Sequence, residues 1–125
     1  QLGYPTSVAQ MSHRLSLLLS DAGQGLFVAQ SPDGALIGWI HVRADRVLHY
    51  DPFAEICALV VDADYRGQGI GHALVREAER WAFERGYDEI RLRSNADRAA
   101  THRFYQQLGY QVVKTSLAFR KLLQV

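Results

Sequence analysis

The stretch Val61-Asp62-Ala63-Asp64-Tyr65-Arg66-Gly67-Gln68-Gly69-Ile70-Gly71-His72-Ala73-Leu74 constrains this chain more than any other. Before it lies an apolar run, Phe53 to Val61, in which Ile56, Leu59, Val60 and Val61 read as a strand buried on both faces. After it, Ile70, Leu74, Ala78, Trp81 and Ala82 share one side of a helix expected from about Gly69 to Arg85, with Arg76, Glu79, Arg80 and Glu84 on the wet side. Three glycines within five residues let the backbone fold tightly and bring several N–H groups to one spot. The start of a helix adds unpaired amides and a positive dipole end, so a phosphate or pyrophosphate suits such a turn. Arg66 at its lip offers a charge-assisted bond. A turn that only lets a helix pack close to a strand has the same composition, so spacing has to decide. A P-loop is excluded, because Gly71 is followed by His72 and Ala73 rather than by Lys and Ser or Thr. The dinucleotide fingerprint matches poorly, because its third glycine falls on His72.

The rest of the chain frames this unit. Thr6 or Ser7 can cap a helix reaching Leu19, with Met11, Leu15, Leu18 and Leu19 on one side. The opening Gln1-Leu2-Gly3-Tyr4-Pro5 has no initiator Met and reads as a helix end and a turn, so residues are expected to precede it. Gly25–Gln30 and Ala35–Val42 form a hairpin around the turn Ser31-Pro32-Asp33-Gly34, and a second turn is expected at Asp45 and Asp51-Pro52. Gly86 stops the central helix. A strand at about 88–93, a helix from Arg98 to Leu108 and short strands at Tyr110–Val113 and Leu117–Lys121 complete the order. A hairpin feeding one βαβ crossover implies an α/β (α+β) fold, a mixed and mostly antiparallel sheet with helices on both faces. Its two parallel strands should part at their C-terminal ends to admit a ligand.

Composition narrows the class of partner. A net charge of +1 over 125 residues argues against nucleic acid and against an anionic membrane surface. The single cysteine, Cys57, permits no internal disulfide and fits a reducing, cytoplasmic setting. No apolar run is long enough to span a membrane, and no signal peptide is evident.

Arg-Gly-X-Gly-X-Gly after a Val-rich strand is similar to the cofactor motif of the GNAT N-acetyltransferases. Ser94-Asn95, His102-Arg103-Phe104-Tyr105, Leu108-Gly109-Tyr110 and the ending Lys114–Lys121 also resemble that family. The resemblance runs from about residue 7 to the end, as a single domain over 1–125 that lacks the family's first strand and part of its first helix. It implies acetyl transfer from acetyl-coenzyme A to a primary amine of a small molecule or peptide, by direct attack and without a metal. Amides of Gly67, Gln68, Gly69, Ile70 and Gly71, with Arg66, are then the pyrophosphate cradle. Leu59, Val60 and Val61 meet the pantetheine arm, Leu59 and Val61 through backbone bonds like those of an added strand. Asn95 contacts the cofactor or an ordered water.

Two side chains carry the chemistry that the resemblance implies. Tyr105 is the general acid, since a phenol near pKa ~10 can protonate a leaving thiolate at neutral pH. Glu55 is the base acting through water; its alternation with Cys57 and Leu59 suggests that all three share one face. An edge salt bridge accounts for Glu55 equally well, and His41 and His49 compete for the role. Cys57, within the apolar strand, reads as a small hydrophobe rather than a nucleophile. A coenzyme A-binding module without turnover is the competing function. The acceptor stays open, as does the oligomeric state, for which the resemblance suggests a homodimer.

Overall fold

The computed structural model describes residues 8–95 and 98–124. The Thr6 or Ser7 cap, the opening turn and the Met11 side chain lie outside the described residues. The chain divides into two compact units, one ending at Arg93 and one beginning at Ser94.

The first unit contains α1 (Val8–Leu19), β1 (Gln24–Gln30), β2 (Leu36–Val47), β3 (Tyr50–Val61), α2 (Ile70–Glu84) and β4 (Ile90–Leu92). The four strands form one sheet in chain order. β1–β2 and β2–β3 are antiparallel, whereas β3–β4, joined through α2, is parallel. This is the mixed sheet expected from the order of elements.

The first hairpin closes at Ser31–Gly34, where Gly34 adopts φ 88° and donates its N–H to the Ser31 carbonyl at 2.9 Å. β2 runs further than expected. Asp45 lies opposite Phe53 and Val47 opposite Tyr50, so the second turn falls at Leu48 and His49 rather than at Asp45 and Asp51-Pro52. The ladder is irregular between Asp45 and Val47, and Pro52 sits there, where its missing N–H costs no ladder bond.

α2 seats on one face of the sheet where side chains are lacking. A Cβ on Gly25 would lie 2.8 Å from Trp81 Nε1, and one on Gly38 would lie 3.3 Å from Leu74 Cδ1. Around these contacts Ile40, Val42 and Val75 are fully buried, joined by Ala54, Ile56, Leu74, Ala78 and Ala82. The helix ends as Gly86 predicts. Gly86 N–H donates to the Phe83 carbonyl at 3.0 Å and Tyr87 N–H to the Ala82 carbonyl at 3.0 Å, with Gly86 at φ 86°.

The second unit contains α3 (Ala99–Gln107). The strands expected at Tyr110–Val113 and Leu117–Lys121 are not formed: these residues join no ladder. Their β-branched and aromatic residues favour extended backbone, but within the second unit that propensity alone does not make a ladder.

Candidate functional site

The site starts from the count of residues in β3. Val42 pairs with Ile56 but His41 pairs with Ala58, so Cys57 is an extra residue, a bulge. Side chains alternate along a strand, and one added residue inverts the alternation beyond it. Ile56 and Leu59 therefore face the same side, the α2 side, together with Val42 and Ile40, their partners on β2. Glu55 faces the opposite side with its partner Arg43. The expectation that Glu55, Cys57 and Leu59 share one face is thus incorrect, and the bulge is the reason. Cys57 is not a core hydrophobe either: the residue reaches the surface while its sulfur is partly withdrawn from water.

The same count fixes where main-chain groups point. Asp62 N–H donates to the Ile37 carbonyl at 2.8 Å, which makes this a hydrogen-bonded pair of the antiparallel ladder. Alternation from there directs Val60 and Ala58 toward β2 and turns Leu59 and Val61 toward the other edge. On that edge β4 pairs only with Ala54, Glu55 and Ile56. Within this unit the parallel pairing ends at Ile56, opposite the last residue of β4, and the Leu59 main chain is turned toward that edge. The Val61 carbonyl accepts from Arg66 Nε at 3.3 Å, which ties the glycine turn back to the end of the strand.

Past Val61 the chain forms one 3-10 turn, Ala63–Tyr65, capped by Asp62, whose carboxylate accepts from Asp64 N–H at 2.9 Å. Gly67 and Gly69 then take φ 78° and 84°, a region side-chain-bearing residues adopt at a cost of about 1–2 kcal/mol. A Cβ at either position would meet nothing within 4 Å, so glycine is needed there for its dihedral and the space above the turn is open. Gly69 is the N-cap of α2 and provides no side-chain cap bond, so the first-turn amides of Ile70 and Gly71 begin the helix without one. Arg66 and Gln68 are exposed beside them.

Glu55 is buried and ion-paired. Arg43 Nη2 donates to its Oε1 at 2.8 Å, and Arg93 Nε lies 3.7 Å from Oε2. These arginines were missed as partners. The sign of Arg43 was present in the alternating polar residues His41, Arg43 and Asp45 of an otherwise apolar strand. His41 Nε2 lies 2.6 Å from Gln24 Oε1, and burial, reinforced by Arg43, lowers its pKa below 6.5. Desolvation around the Cys57 sulfur raises the thiol to about 11, with Arg43 opposing and the Glu55 and Asp45 carboxylates adding to the rise. The thiolate, the reactive form, is therefore scarce at neutral pH.

In the second unit Tyr105 is buried, with the rings of Phe104 and Tyr110 edge-on to it at 5.0 and 5.5 Å. The helix end holds it as well. Tyr110 N–H donates to the Tyr105 carbonyl at 3.0 Å and Gly109 N–H to the Gln106 carbonyl at 3.1 Å, with Gly109 at φ 95°. The Asn95 carbonyl accepts from Arg98 N–H at 3.1 Å and contacts His102 Nε2 at 2.8 Å, fixing the entry to α3.

The chain is 32% identical over 110 residues to human N-acetyltransferase 8B, covering 87% of this chain and 47% of that protein. It is 28% identical over 99 residues to mycothiol acetyltransferase of Saccharomonospora viridis, covering 76% of this chain and 32% of the relative. The chain thus spans a third to a half of the length of these relatives. Its fold matches AAC(6')-Iy, solved with a bisubstrate analogue of coenzyme A, at TM-score 0.83 and 21% identity, over 98% of this chain and 84% of that one. Residues 3–110 match the acetyltransferase (GNAT) family as a whole, and the chain belongs to that family.

Proposed function

We propose that this chain transfers the acetyl group of acetyl-coenzyme A to a primary amine of a small molecule or peptide, in a ternary complex. The observation that carries the reading is the edge of β3. After Ile56 it runs without β4, turns the Leu59 main chain toward the β4 side, and leads straight into an open glycine turn at a helix start. An extended pantetheine arm can add to such an edge as a strand does, and its pyrophosphate can end at the amides of Gly67 to Gly71 with Arg66. Val60, whose main chain faces β2, lines this path only as a neighbour of Leu59 and Val61.

Acetyl-coenzyme A supplies the thioester. Leu59 N–H polarises its carbonyl, a type of contribution of roughly 3 kcal/mol to barrier lowering. The acceptor amine attacks, its proton passes through water to Glu55, and Tyr105 protonates the departing thiolate. Asn95 orders the cofactor or a water at the start of α3. The high pKa of Cys57 supports direct attack over an acetyl-cysteine intermediate. The structural neighbour's complex with a coenzyme A–acetylneamine analogue supports aminoglycosides among the acceptors to test, beside polyamines and peptide N-termini.

Calorimetry with coenzyme A, followed by thiol release from acetyl-coenzyme A over that amine panel, tests the reading. Binding with amine-dependent release is expected. Binding without release at any amine favours a coenzyme A-binding module instead, and absence of binding removes both readings.

A further inference from the structure

Among the described residues Glu55 is the charged side chain that lies buried, at 7% exposure. A carboxylate withdrawn from water is tolerated when cations and hydrogen bonds replace its hydration. Oε1 accepts from Arg43 on β2, and Oε2 lies near the largely exposed guanidinium of Arg93, just past β4. Arg43 is the register partner of Glu55 on β2, and Arg93 follows Leu92, the last residue of β4. One side chain on the middle strand therefore bridges to the strand on either side, at 2.8 Å and 3.7 Å.

The position of this bridge along the sheet is telling. The next pair, Ile56 with Leu92, is the last between β3 and β4, and the Cys57 bulge follows it. β4 itself is short: it pairs with β3 through Ile90, Arg91 and Leu92, and the Ala54 N–H donates to the Glu89 carbonyl just before it at 3.1 Å. Arg91 adds a contact on the same face, its guanidinium 4.3 Å from the centre of the Phe53 ring.

We infer that the Arg43–Glu55–Arg93 bridge is the fastening that sets where β3 and β4 separate, and that Arg43 and Arg93 are positioning residues for the coenzyme A edge of β3. The inference rests on the reading of that edge given above. With three strands tied at Glu55, residues 57–61 continue along β2 past the end of β4 from a fixed origin, and the Leu59 amide reaches its place relative to the glycine turn. Without the bridge, the end of β4 drifts and the point where its pairing stops is no longer set.

Titration calorimetry with coenzyme A on single variants tests this. Arg43→Met should raise the Kd about tenfold, and Arg93→Met, whose contact is longer, about threefold, both with unchanged circular dichroism. Arg43→Lys keeps the cation and should recover most of the affinity. Arg46→Met, which removes a neighbouring β2 cation bonded to Tyr87 Oη at 3.2 Å, should leave the Kd unaltered. Wild-type affinity in Arg43→Met overturns the inference; if that variant does not fold, wild-type affinity in Arg93→Met does so. Amide exchange of residues 90–93 asks the same question without ligand. It should quicken in Arg93→Met, and unchanged rates overturn the bridge even if the native protein binds no coenzyme A, an outcome that would separately end the proposed function.

Discussion

Tyr105 is fixed from two directions, by the hydrogen bonds that close α3 behind it and by the rings of Phe104 and Tyr110 on its flanks. A phenol so restrained is suited to giving up one proton along one line. On the proposed general-acid role, Tyr105→Phe should lower kcat by on the order of 10²-fold while leaving coenzyme A affinity as it was, because a group that acts on the leaving thiolate alone does not change binding. Stopped-flow thiol release beside calorimetry separates the two effects; equal activity at every pH rules the general acid out. His41 gives a prediction about stability. Its folded pKa is lowered from 6.5, first by burial and then by Arg43, so the unfolded chain binds more protons below that value. Its contribution is complete above pH 6.5 and is lost as pH falls below 6.5 toward the depressed folded value. Thermal midpoints measured across this interval should decline with acidification, and the decline should be shallower in His41→Gln.

At the scale of the element, β3 is two half-strands joined at Cys57. Deleting Cys57 restores continuous alternation and turns either the paired half or the edge half to the wrong side. Coenzyme A binding should vanish in the deletion and persist in Cys57→Ala, which keeps the residue count; calorimetry on the pair decides it. If both bind alike, the bulge does not set the edge. This bulge was not legible in the sequence. Glu-Ile-Cys-Ala-Leu reads as unbroken alternation, and only the partner strand shows that two residues oppose one. The turn at Leu48 and His49 was hidden for a related reason: Asp51-Pro52 carries strong turn chemistry, yet an irregular ladder accommodates Pro52 inside a strand. By contrast α2, its glycine stop, the first hairpin and the glycine turn were all legible. Each depends on local dihedrals and on spacing within one segment. The closing strands are not formed within the second unit, because extended propensity alone does not make a ladder.

For the whole molecule, ligand binding and folding are linked. If coenzyme A binds the folded chain alone, a concentration about 100 times its Kd should stabilise the protein by about 2.7 kcal/mol, with a thermal midpoint that climbs as more is added. A melting curve insensitive to coenzyme A would contradict the assigned site. The family match from residue 3 to residue 110 includes residues of both compact units. A net charge of +1 brings little long-range attraction for an anionic ligand, so on the proposed reading capture falls to the local field of Arg66 and the α2 amides.

The extra residue at position 57 also shapes how such a chain can change over generations. Exchanges among Phe53 to Ile56 alter which side chains fasten the sheet while leaving intact the direction of the amide at Leu59, because that direction depends on chain length and not on side-chain identity. A replacement at the buried Phe53 to Ile56 costs packing or an ion pair but keeps the register, whereas a gained or lost residue inverts it, so divergence here should proceed by replacement, with insertions and deletions confined to the tips at Asp33 and Leu48.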